Sequence, residues 1–238
     1  MSIWGIATSI LAGWLASAVV NWAADHLPDK NFQAIRSRQA PFALRHYLTL
    51  WWYFSRGGVC PHCGEKRPWR VPLVEAVSVG LFLLAWRSFG DDPLTLALLW
   101  LYAAFLLTVL VIDLEHRRVL NKMVLPGAVA ALAFSFLPGP PSPWQALLGG
   151  LIGFGLFLVI AFIGRGAMGA GDVKLAGLIG LMVGYPNVIP ALVIGIVLGG
   201  AAALALLLSR RAGRKSTMAY APYLALGALL TLWGTLGG

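Results

Sequence analysis

The chain has 238 residues, of which 59% are hydrophobic and 11% charged, with a formal net charge of +9 and a mean hydropathy of +0.78. Its apolar residues come in long uninterrupted runs rather than at one-face spacing, which excludes a water-soluble core and points to a polytopic membrane protein. The positive charge is not organised as a basic-aromatic stripe, so no nucleic-acid partner is expected.

The first run, 3–22, lacks the basic start of a signal peptide and a convincing cleavage site before Asn21, and reads as a retained span. A polar segment, 23–71, follows; it holds both cysteines, in GVCPHCGEKRPW, and much of the basic content. Further apolar runs cover 72–86, 94–112, 123–137, 144–163, 173–184, 188–208 and 219–233. The expected fold is therefore all-α, with about eight transmembrane helices. It divides into a first helix within 1–22, an insert at 23–71 and a seven-helix membrane domain at 72–238. Runs 72–86, 123–137 and 173–184 are short for a hydrocarbon layer of about 30 Å and need flanking residues or local thinning. Gly149 with Gly153, Gly180 with Gly184 and Gly195 with Gly199 stand four apart, the spacing that lets helices pack closely. No internal repeat of the kind that builds transporters is visible.

Seventeen of the eighteen Lys and Arg fall in alternate connections of this eight-span chain, leaving Arg87 alone on the other side. The positive-inside rule then places the basic connections, the 23–71 insert among them, in the cytoplasm, and both termini outside.

Six of the nine acids, Asp25, Asp29, Glu65, Asp91, Asp92 and Glu115, fall in predicted loops, where a solvated charge is the default. Glu75, Asp113 and Asp172 are placed differently. Asp113 ends the third apolar run, in LLTVLVIDLEHRR, and Asp172 opens the sixth, in GAMGAGDVKLAGLIG. With the orientation above, both lie at the cytoplasmic face on different helices. Two carboxylates that converge there form a dyad in which repulsion and partial desolvation keep one proton between them. One member then activates water while the other polarises a carbonyl. Gly169 and Gly171 would allow a tight turn into the helix and close approach of an extended peptide. The competing reading makes Asp172 an N-cap and pairs Asp113 with Arg117 or Lys174.

At these residues the chain resembles the prepilin peptidase family, the aspartic proteases of type IV pilus and type II secretion systems. GAGDVKL at 169–175 matches its GxGD motif, and IDLEHRRVLNKMVLPG at 112–127 is similar to its first-aspartate segment. ASAVVNWAADHLP at 16–28, RVPLVEAVSVGLF at 70–82 and MAYAPYLALGALL at 218–230 resemble further family segments in the same order. The resemblance implies a bacterial inner-membrane endopeptidase. Asp113 and Asp172 would be catalytic, and Gly169, Gly171, Lys174, Asn121 and Glu75 would support substrate or motif. The substrate would be a prepilin or pseudopilin whose basic leader is cut at the cytoplasmic membrane boundary while its apolar helix stays in lipid. Cleavage needs no cofactor in this family. Many members also methylate the new N-terminus with S-adenosylmethionine, an activity tied to the first cytoplasmic segment. Glu75 would either orient the substrate amine or support packing.

The chain departs from the family at two places. Members carry two Cys-x-x-Cys pairs, whereas here only Cys60 and Cys63 match, which is half of a structural zinc site. His46 or His62 would complete it; a metal-free turn is the alternative, and cytosolic thiols stay reduced. Leu120 stands where the family has proline before the position of Asn121. Rival readings are an ion- or proton-coupled transporter, a presenilin-like protease cutting inside membrane helices, and a degenerate scaffold. Oligomeric state is not legible.

Overall fold

The computed structural model describes residues 3–28, 53, 57–59, 68–139, 141–164, 168–209 and 220–236. Eight helices make up its described part: Ile3–His26 (α1), Arg70–Phe89 (α2), Pro93–His116 (α3), Asn121–Phe134 (α4), Pro143–Ile163 (α5), Ala170–Val183 (α6), Val188–Leu208 (α7) and Ala221–Leu236 (α8). Each expected run falls on a helix of its own, although the run at 123–137 outlasts α4, which ends at Phe134. Five helices, α1, α2, α3, α5 and α7, are long and apolar enough to cross a membrane. Helices α4 and α6 have 14 residues each, or about 21 Å at 1.5 Å per residue, and α8 has 16.

The run at 72–86 takes up flanking residues, as its shortness requires: Arg70 and Val71 before it and Arg87 to Phe89 after it continue the helix to 20 residues. Polar side chains end an apolar run without ending a helix, because the backbone ladder does not depend on hydropathy. Helix α8 is also short, although its run at 219–233 is not among the three expected to be.

Several starts are written in the sequence. Asp92 precedes Pro93 at the first position of α3, and its carboxylate accepts from the Leu94 and Thr95 amides and from the Thr95 hydroxyl at 2.6 Å. The Thr95 hydroxyl first, then its amide, holds the Asp92 carboxyl below the usual carboxylate range. Ser142 and Gln145 form a reciprocal capping box at α5, with Pro143 at its first position.

The chain divides into two compact units, Met1–Thr108 and Val109–Gly238. In the first, α1 and α2 run antiparallel. Gly13 lies against the backbone of Ser78 and Val79, and further along Asn21 donates to the Val71 carbonyl. The expected placement of Asp25 needs correcting. It sits in the last turn of α1, not in a solvated loop, and pairs with Arg70 at the start of α2; their side chains are only 19% and 11% exposed. In the same unit Trp100 of α3 stacks on Phe82 of α2, with ring centroids 5.1 Å apart, and its indole N–H donates to the Phe82 carbonyl.

In the second unit α6 packs against α4, α5, α7 and α8. That explains its composition: Leu175, Leu178 and Ile179 are buried beside Ala176, Gly177 and Gly180. The α5–α6 crossing is built on small residues. Gly149 and Gly180 meet backbone to backbone, and Gly153 lies on the Ala176 carbonyl, with no room for a Cβ at any of the three glycines. On α7, Gly195 faces Leu224 of α8 and Gly199 faces the Tyr220 ring. Gly184, the second spaced glycine on the α6 side, has φ +69 and ends α6 in a conformation that other residues rarely adopt.

Candidate active site

Three helix ends supply the site, all within the second unit. The first is the end of α3. Asp113 occupies its last turn and is only 4% exposed. The helix stops because Arg117 takes a left-handed conformation, φ 50, and its N–H returns to the Asp113 carbonyl at 2.8 Å. The chain then runs through Val119 and an extended Leu120, which precedes α4, so the helix begins here without proline.

The second is the start of α6. Gly169 is its N-cap, so Asp172 does not hold that position but lies three residues in. From there its carboxylate accepts the Gly169 N–H, half of a capping box, while the Asp172 N–H donates to the Gly169 carbonyl at 3.0 Å. Gly169 has ordinary extended angles, φ -72 and ψ 142. Gly171 is where a side chain cannot fit: a Cβ would lie 2.8 Å from that of Val119. Thus Gly171 lets the chain following Asp113 pack onto the helix start that carries Asp172.

The third is the start of α8. Its first residue, Ala221, has an N–H with no partner inside the helix, and Pro222 has none to offer. The Ala221 N–H donates to the Asp113 carboxylate, so the positive end of α8 faces that acid. The other carboxylate oxygen, Oδ2, is buried with no hydrogen-bond partner among the described residues. Asp113 and Asp172 are near enough to interact electrostatically, and Tyr220 is near enough to feel the charge of Asp172.

The structure therefore brings together Asp113, Asp172 and Gly171, two of them from apolar runs far apart in sequence. Lys174 and Asn121 form a second contact, with the ammonium donating to Asn121 Oδ1 at 2.9 Å. Glu75 belongs to the first unit, where it is 1% exposed and accepts the Trp14 indole N–H. Cys60, Cys63, His46 and His62 lie outside the described residues. Among the described residues no three His, Cys, Asp or Glu are grouped to hold a metal.

Sequence reasoning did not find Tyr220 or the Ala221 amide. Tyr220 packs against Phe157 and Tyr223, at ring separations of 6.3 and 6.5 Å, and looks in the sequence like one more aromatic at a span end. An amide donor has no residue type to search for.

Residues 92–204, which hold both aspartates, match the type IV leader peptidase family. A prepilin leader peptidase/N-methyltransferase of Bacillus subtilis is 30% identical over 179 residues, covering 75% of this chain and 71% of the relative. The chain belongs to the type IV leader peptidase family. Proteins of the same name from Pseudomonas putida and Escherichia coli are 32% and 28% identical. The former match covers 76% of this chain and 65% of that relative; the latter covers 94% and 93%. No solved structure matches the chain. Membership makes it a peptidase and, with its five long apolar helices, a multi-pass membrane protein.

Proposed function

We propose that this leader peptidase is a bacterial inner-membrane aspartic endopeptidase whose catalytic pair is Asp113 and Asp172, cutting prepilin-like proteins at the cytoplasmic membrane face. The observation that carries the reading is the convergence of the two carboxylates at the adjoining ends of α3 and α6. Like charges this close favour one shared proton. The ionised carboxylate takes a proton from water, which attacks the scissile carbonyl, and the protonated one hydrogen-bonds to that carbonyl as its oxygen gains charge. The Ala221 and Gly169 amides hold the two side chains in register for this exchange.

Further support comes from the relatives, each named prepilin leader peptidase/N-methyltransferase. Segregation of the basic residues supports a cytoplasmic site with both termini outside. The substrate's apolar helix would stay in the bilayer beside the enzyme. S-adenosylmethionine would supply the methyl group if the chain also methylates. The first cytoplasmic segment, to which that activity is tied in the family, lies largely outside the described residues. Glu75 is assigned to joining α1 and α2 through Trp14.

The test is cleavage of a co-expressed prepilin by wild type, Asp113→Asn and Asp172→Asn, with the cut located by mass spectrometry and folding checked by melting. Asparagine keeps the size of the side chain and an acceptor for the Ala221 or Gly169 amide. Both variants should therefore fold and neither should cleave. Cleavage at the wild-type rate by either one refutes the dyad.

A further inference from the structure

A groove of about 570 Å³ runs along the second unit between α4, α5 and α6, within the usual range for a ligand site. Its walls are apolar, among them Leu125 and Ala128 of α4, Leu151 and Phe154 of α5, and Leu178 and Leu181 of α6. At one end stand Lys174 and Asn121, and among the described residues Lys174 is the only charged one lining it. On α6 the lining positions are 174, 177, 178 and 181, a single helical face that extends about 10 Å from Lys174 to Leu181.

That face is not the one that carries Asp172. Two residues along an α-helix turn the side chain through about 200°, so Lys174 and Asp172 leave α6 on opposite sides. A substrate held at the carboxylate pair therefore has no call on the groove. Its occupant must be apolar along the length of about two helical turns and negatively charged where it meets Lys174. The groove is also open to the surroundings: Leu125 is 71% exposed and Leu151 69%. In a bilayer those surroundings are acyl chains, and an ammonium on a flexible stem at the headgroup level attracts a phosphate.

We propose that this groove is a binding site for one anionic phospholipid, with an acyl chain between α4, α5 and α6 and the headgroup phosphate at Lys174. The Asn121 side-chain N–H donors flank the same position, because its Oδ1 already accepts from Lys174. The bound lipid would seal α4 against α6 without entering the carboxylate site. The inference rests on the proposed function only in placing Lys174 at the cytoplasmic surface.

The experiment reads lipid and not cleavage, so the two proposals fail separately. The full chain is reconstituted in nanodiscs of equal phosphatidylcholine and phosphatidylglycerol, and lipid retained after release is identified by native mass spectrometry. Wild type should retain one phosphatidylglycerol in preference to phosphatidylcholine. Lys174→Gln should reduce that preference about fivefold, the share of one cation at a membrane surface. Ala128→Trp should fill the groove and abolish retention, with Leu125→Trp from the open side as the alternative should the first variant fail to fold. Equal retention of both lipids by wild type, or unchanged phosphatidylglycerol retention in Lys174→Gln and the folded tryptophan variant, overturns the proposal. So does photo-crosslinking of a prepilin helix to position 128 that phosphatidylglycerol does not compete away, which would give the groove to substrate.

Discussion

Replacing Gly180 by alanine tests whether the closeness of α5 and α6 positions the active site. An added Cβ would point into the backbone of the facing helix, at the Gly149 carbonyl and, 2.8 Å away, the Gly150 nitrogen. Ordinary contact begins at 3.4 Å, so even this more distant neighbour requires the helices to part by 0.6 Å. Backbone atoms cannot rotate aside as a side chain can, which puts the cost toward the upper end of the roughly 1–3 kcal/mol expected for overpacking. Gly155 of α5 and Gly200 of α7 are the controls: nothing lies within 4 Å of their Cβ positions. Alanine there should stabilise by about 0.5–1 kcal/mol through helix propensity alone. The assay is thermal unfolding in detergent alongside leader cleavage. Because α6 carries Asp172 in its first turn, a shift of this size should also slow cleavage by about tenfold, given that misplacement near 1 Å costs roughly a hundredfold. If Gly180→Ala melts with or above Gly155→Ala, close packing does not hold α6 in place and the reasoning fails.

Arg117 is left-handed and should favour glycine over alanine. With the side chain removed in both, Arg117→Gly should exceed Arg117→Ala in stability by about 1 kcal/mol by denaturant unfolding, and equal stabilities would show the turn carries no such strain. Asp25→Asn removes one charge from a largely buried pair and should destabilise by about 1–3 kcal/mol, between the surface and buried limits; an unchanged melting temperature would show that Arg70 does not need it. Cys60→Ser with Cys63→Ser should leave leader cleavage largely intact. Complete loss together with release of zinc would establish a required metal site.

Much of the fold was legible because bilayer-length apolar runs and helices coincide: each run lies on its own helix, and the spaced glycines do sit at close helix contacts. Helix ends were less legible. Hydropathy stops at the first charge, whereas α1 continues through Asp25 and α3 through His116. For that reason hydropathy alone puts Asp25 in a loop, although it pairs with Arg70. Both aspartates were found because a carboxylate at the edge of an apolar run is conspicuous. Their convergence depends on Gly171 admitting Val119, a tertiary contact that no local pattern encodes.

The donor that Ala221 offers Asp113 comes from the main chain, which has a consequence for how this site drifts under mutation. Nearly any residue at 221 would carry the same N–H, so the limit on that position is volume, Ala221 being fully buried, and not chemical type. Only proline, or loss of the helix start, would delete the hydrogen bond. The two acids are thus exposed to every missense change at their own codons, while a contact that orients one of them is nearly invisible to substitution.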